Sequence, residues 1–300
     1  MTTTWDILDA VGRRIRGSAG AIAVLRNGEL VAERVWGFAD LDGRLLCGLP
    51  IDLELNPLGE LETRGGIFRE QLTAKLDELL HPGLCGASLT IQRLCDNQSG
   101  IHEYWAVCTL WGAKTDSRSS FTEHGPQARH RLRTLHLQPG TEYAYSNANF
   151  HILARLIEGV AGRTIGELLG QRIFPPAGMS TAAFCPDTAR CPCPCVGYEG
   201  DEKRGYVPAT NRIEWPGDAG IVASLPDMVA YETFLDRSLL CRENWYYQTT
   251  RQTPTLSDAA PAMYGNGLSR RSVASVRTVG LDTACTVSKL QTSGYLSWCS

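Results

Sequence analysis

The sequence predicts a mixed α/β domain of the α+β kind, and two observations carry that expectation. Near its start an Asn-Gly turn separates two strand-like apolar runs. Through its middle runs a series of helical segments with their own caps and stops. The composition agrees: 300 residues, 43% of them hydrophobic and 20% charged, are enough for a real core. A net charge of −3 offers no basic stripe for nucleic acid and no acidic solvating tail. The first residues lack the basic and apolar blocks of a signal peptide, and no apolar run approaches the ~20 residues that cross a bilayer. A cytoplasmic location is therefore expected, with no nucleic-acid or membrane partner.

Ala21 to Leu25 reads as a strand. Asn27-Gly28 supplies the turn, because both positions tolerate positive φ, and Leu30 to Phe38 returns as the second strand. Phe68 to Leu80 places Phe68, Leu72, Leu76, Leu79 and Leu80 on one helical face, stopped by His81-Pro82-Gly83. Thr90 to Leu94 begins a short helix that leads to the turn-forming Asn97-Gln98-Ser99-Gly100. Phe150 to Val160 carries Phe150, Leu153, Ile157 and Val160 on one stripe, with Gly162 as its C-cap. Thr164 and Glu167 form a capping box for the next helix, which Phe174-Pro175-Pro176 closes. Tyr198 to Ser224 reads as a glycine-rich loop, and Pro226 to Leu235 as a helix. Leu45 to Gly66 and Ser269 to Ser300 show no sustained period and predict no clear element.

Eleven cysteines, an odd number, argue for free thiols rather than a disulfide framework. Cys191, Cys193 and Cys195 alternate with prolines that force an extended backbone and spread the sulfurs, so the cluster reads as a loop rather than a soft-metal site.

The most informative motif is Tyr145-Ser146-Asn147, set between the Pro139-Gly140 turn and the helix that follows. By itself a Tyr-x-Asn is weak: a buried tyrosine beside a helix N-cap gives the same letters. It stands, however, in an ordered set. Trp36-Gly-Phe-Ala-Asp40 precedes it, and so does the run from Leu94 through Asn97-Gln-Ser99-Gly-Ile-His-Glu-Tyr-Trp105. Ile173-Phe-Pro-Pro-Ala-Gly-Met179, Gly197-Tyr-Glu-Gly-Asp201, Arg204 to Trp215, Gly217-Asp-Ala-Gly220 and Tyr264-Gly-Asn-Gly-Leu268 follow it. In order and spacing, over residues 20–44 and 88–268, this set resembles the serine β-lactamase and penicillin-binding-protein superfamily, and within it the D-aminopeptidase branch. The resemblance implies a β-lactamase/transpeptidase-like fold: an antiparallel sheet flanked by helices, with a helical subdomain over about residues 68–200. The whole chain is expected to form this one domain, truncated at its C-terminal end and without the branch's C-terminal β-barrels. A sheet so shortened would leave an unprotected edge, and with it marginal stability or homo-oligomerisation.

The same resemblance implies a serine hydrolase that releases N-terminal D-amino acids from small peptides or amides through an acyl-enzyme, with no metal or organic cofactor. Tyr145 and Asn147 take the catalytic positions, and Asn97, Ser99, Asn211 and Gly217 the substrate-binding ones. Two further elements belong to that chemistry. One is Ser-x-x-Lys at a helix start, where one turn puts the amine beside the hydroxyl. The other is His-x-Gly or Lys-Thr-Gly on a strand beside the oxyanion hole. No serine occurs between Ser18 and Ser88, and no histidine follows His151. Residues 45–66 and 269–300, where those elements are due, depart from the family pattern. A change of reading frame across both stretches would give such abrupt boundaries, and another frame of 45–66 would then encode Ser-x-x-Lys. Cys285-Thr286-Val287-Ser288-Lys289 imitates the nucleophile segment with threonine in the serine's place, far from its expected position.

The nucleophile is thus unassigned, and turnover is expected to be impaired or absent. The alternatives are a catalytically dead relative that binds peptides, another superfamily activity (D,D-carboxypeptidase, β-lactamase or esterase), or a thiol or metal protein built on the cysteine cluster.

Overall fold

A computed structural model describes residues 4–14, 19–26, 29–37, 46–49, 80–81, 84, 88–110, 133–187, 190, 198–201, 203–208, 214 and 217–237, and strands at 253–254, 263–265, 268–271, 274–279, 285–290 and 294–299. The expected helix over 68–80, the turn at 27–28, Asn211 and the cluster Cys191–Cys195 lie outside the described residues, the first of these but for Leu80.

Helix α1 (Thr4–Arg14) leads into the hairpin of β1 (Ala19–Arg26) and β2 (Glu29–Gly37). The register sets Arg26 opposite Glu29, as a two-residue connection requires. β1 is apolar on consecutive positions because both of its faces are covered. Ala21, Ala23 and Leu25 face the main core, while Ile22 joins Leu8 and Ala32 in a smaller core beneath α1.

Beyond β1 the sheet continues through strands from the far end of the chain. β8 (Thr253–Pro254), β9 (Met263–Gly265), β10 (Leu268–Arg271), β11 (Ala274–Val279), β12 (Cys285–Leu290) and β13 (Gly294–Cys299) complete an eight-stranded antiparallel order β2-β1-β13-β12-β11-β10-β9-β8. β13 lies against β1, with Ala21 opposite Cys299 and Leu25 opposite Tyr295. One sequence expectation is thereby corrected: residues 269–300, for which no element was predicted, carry β11, β12 and β13. The Thr-x-x-Lys imitation lies in β12, paired on both sides. Positions 286 and 289, three apart on a strand, fall on opposite faces, whereas the nucleophile pair needs one helical turn.

A second, three-stranded sheet has the order β3-β7-β4, from β3 (Leu46–Leu49), β4 (Ala183–Phe184) and β7 (Ile221–Ser224). β3 falls in the stretch for which the sequence predicted no element. β5 (Tyr198–Asp201) and β6 (Gly205–Pro208) form a separate hairpin where a loop was expected. Between the strands run α2 (Ile91–Cys95), α3 (Tyr104–Leu110), α4 (Asn147–Ala161), α5 (Ile165–Arg172), α6 (Phe174–Ala177) and α7 (Leu225–Arg237).

The Thr90 hydroxyl, where a short helix was expected to begin, caps α2 by accepting from the Arg93 N–H at 3.3 Å. The two caps read from sequence are present. Thr164 and Glu167 exchange both bonds of their capping box, and Gly162 ends α4 in the left-handed region at φ 64. α4 begins three residues earlier than its apolar stripe. It is more deeply buried than a single stripe implies, with Ile152, Ala154 and Leu156 in the core beside Phe150, Leu153 and Ile157. That burial makes α4 the rigid member on which the site is built. No helix among the described residues is long and apolar enough to cross a membrane.

Candidate active site

Tyr145, Ser146 and Asn147 form the junction at which the chain enters α4. Ser146 is the N-cap residue but makes no side-chain cap bond. The capping anion comes instead from another segment: the Asn147 N–H donates to the Glu103 carboxylate (Oε2) at 2.5 Å. A carboxylate at a helix N-terminus satisfies an orphan donor and complements the helix dipole.

The run 97–103 lies alongside this junction and holds it in place. Asn97, itself in the left-handed region at φ 53, accepts at its Oδ1 from the Ser146 N–H (3.0 Å) and the Asn149 amide (2.7 Å). Its backbone carbonyl accepts from the Ala144 N–H at 2.8 Å. The Ser99 hydroxyl donates to Asn149 Oδ1 at 2.5 Å and accepts from the Ile101 N–H at 3.1 Å. The Ser146 hydroxyl donates to the His102 carbonyl at 3.3 Å. Asn97 and Ser99 are 0% exposed. Both were expected in substrate-binding positions; both are buried, and their side-chain oxygens bond within the junction. Each such buried donor would cost about 1–3 kcal/mol if left unpaired, so the network fixes one geometry for the junction.

Tyr145 is 44% exposed, and its hydroxyl donates to Asn147 Oδ1 at 2.9 Å. The two residues expected to be catalytic are therefore together and face one side. The Tyr145 phenol is pushed up to about 12, first by burial and then by the Glu103 and Asp218 carboxylates. Solvent tempers the burial contribution for a residue this exposed, but both carboxylates act in the same upward direction. A phenol at that value is ionised to only about one part in 10⁵ at pH 7. Among the described residues, the Tyr145 hydroxyl is a protonated donor to Asn147.

The carboxylate partners were not singled out from sequence. Asp218 sits within Gly217-Asp-Ala-Gly220, and at 4% exposure it accepts from the Tyr104 hydroxyl at 2.5 Å. Its Oδ1 is buried with no hydrogen-bond partner among the described residues. Burial, partly offset by the Tyr104 bond, pushes the Asp218 carboxyl up to about 7. Next to it, His151 on α4 packs at a tilt against the Tyr104 ring, and burial and Arg155 lower it to about 3. Gly217 is buried against α4, where Ala154 approaches it. A charged letter between glycines was the one available signal for Asp218, and sequence alone does not tell a buried carboxyl from a surface turn. No group of three or more metal-ligating side chains gathers among the described residues.

The Beta-lactamase family profile matches residues 69–282. The chain belongs to that family. It is 41% identical to the D-aminopeptidase of Brucella canis over 293 residues, an alignment that covers 93% of this chain and 54% of the relative. The chain thus spans about half the length of the curated relatives it matches. The family match reaches beyond residues 88–268 on both sides, and the alignment with the relative covers more of the chain than residues 20–44 and 88–268, over which the motifs are read. Among solved structures, a D-stereospecific amidohydrolase from Streptomyces superposes with a TM-score of 0.74 at 17% identity, covering 97% of this chain and 91% of that one. A penicillin-binding protein from Bacillus halodurans superposes with a TM-score of 0.71 at 18% identity, covering 100% and 95%. The β-lactamase/transpeptidase-like fold expected from the motifs is the fold of this beta-lactamase-family chain.

Proposed function

We propose that this chain is a D-aminopeptidase-type hydrolase domain that keeps the substrate wall of the cleft but does not carry out acyl transfer. Its substrate class is a small D-amino-acid amide or peptide, the class named for its relatives, and its location is the cytoplasm, where eleven cysteines stay reduced. One observation carries the reading: the Tyr145 hydroxyl is bonded to Asn147 and raised by burial and then by two carboxylates. Acyl transfer by this superfamily's route needs the reverse field, a nearby cation that draws the phenolic proton away. The absence of any serine between Ser18 and Ser88 supports it from the sequence side. Loss of the nucleophile from such a coupled set typically costs on the order of 10⁶ in rate.

Treatment of the purified chain with a fluorophosphonate or benzylpenicillin, followed by intact-mass analysis, tests this. The expected result is no covalent adduct and no release from D-alanine p-nitroanilide above background. A stoichiometric adduct on any serine or threonine would establish a working nucleophile and overturn the reading.

A further inference from the structure

Two imidazoles, His102 and His136, lie together beside the Tyr145 junction. His102 follows the Asn97–Ile101 support, and His136 belongs to the segment that leads toward Tyr145. Their ring centroids are 5.6 Å apart at 57°. His102 Nε2 is buried with no hydrogen-bond partner among the described residues, while hydrogen bonding to the Thr134 backbone engages the ring elsewhere. That is how a ligating histidine is prepared: one nitrogen is fixed by a backbone carbonyl, which sets the tautomer, and the other stays open. The pair is held by the main chain as well, since the His136 N–H donates to the Gly100 carbonyl at 2.7 Å.

We propose that His102 and His136 together bind one divalent transition ion of the zinc, nickel or cobalt class. With metal–nitrogen bonds of about 2.0–2.1 Å, ring centroids 5.6 Å apart lie within the span that one ion can bridge. No third ligating side chain joins them among the described residues, so water completes the shell and the ion is exchangeable. The ion ties the 97–103 support to the segment entering the Tyr145 junction. Both brace the start of α4: the His102 carbonyl accepts from Ser146, and Glu103 caps Asn147. Metal occupancy therefore stiffens the cleft wall without entering the cleft.

Cobalt(II) titration tests the site, because its spectrum separates imidazole from thiolate ligation in a chain with eleven cysteines. Wild type should show saturable visible bands without the near-ultraviolet sulfur-to-cobalt charge transfer. Its Tm should rise by roughly 5 °C at a hundredfold excess over Kd. His102→Gln and His136→Gln should each weaken binding by about tenfold or more, while His81→Gln should leave it unchanged. His136 is exposed, so its variant stays folded even if the half-buried His102 does not tolerate change. Unchanged cobalt affinity in His136→Gln, or a spectrum dominated by thiolate charge transfer, would overturn the proposal.

Discussion

Gly217→Ala is expected to destabilise the protein by roughly 2–6 kcal/mol, a large part of the 5–15 kcal/mol typical of a domain. Gly217 has φ 135, a conformation that L side chains rarely adopt, and a Cβ placed there would stand 2.2 Å from the Cβ of Ala154. Ala154 is fully buried in the middle of α4, and its methyl has no rotamer by which to withdraw. Either α4 or the Gly217–Gly220 turn must move, and the turn carries Asp218. Gly162→Ala is the matched control. Its φ of 64 is also left-handed, but nothing lies within 4 Å of the added methyl, so about 1 kcal/mol is expected. Urea unfolding of both variants separates crowding from backbone strain. Equal losses would mean that Gly217 does not sit against α4 as described.

Asp218→Asn is expected to remove a pH dependence and to stabilise the protein above pH 7. The Asp218 carboxyl is raised in the folded state from 3.8 to about 7. Between those values the folded protein holds a proton that the unfolded chain has released. Stability contributed by this group is therefore present below the unfolded value and lost as pH rises toward 7, by about 4 kcal/mol in all. Asparagine keeps an acceptor for the Tyr104 hydroxyl and carries no charge. His151 acts in the opposite sense, because its folded value is lowered from 6.5 to about 3. Its contribution is present above 6.5 and lost as pH falls toward 3. In wild type the two slopes oppose each other between pH 4 and 6.5. Asp218→Asn should leave the His151 slope exposed, so that stability climbs with pH over that window. Unfolding free energies from pH 4 to 8 for both proteins decide this, and parallel curves would contradict it.

The parts of this fold legible in sequence are those fixed by local chemistry. Asn27-Gly28 announces the hairpin, Thr164 with Glu167 a helix start, and Gly162 a helix end, each through bonds or torsions spanning a few residues. The parts not legible depend on partners distant in the chain. β11 to β13 are short runs of serine, threonine and mixed residues, and they become strands by pairing with one another and with β1. The hairpin of β5 and β6 was masked by its glycines. α1 carried a usable signal in Leu8 and Val11, but it reads weakly until β2 is there to cover. The site divides in the same way. Tyr145 and Asn147 are legible because the motif lies within three residues. The burial of Asn97 and Ser99, and the carboxyl of Asp218 beside Tyr104, arise only when segments about 50 to 114 positions apart meet.

The central claim is that the cleft presents Tyr145 as a protonated donor in a field of carboxylates. Tyrosine ring-carbon NMR of the labelled protein, assigned by difference against Tyr145→Phe, measures this directly. The Tyr145 signal is expected to show no ionisation up to pH 10, in keeping with a value of about 12. A titration midpoint below about 9, under the ordinary phenol value, would place an unseen cation beside the hydroxyl and contradict the account.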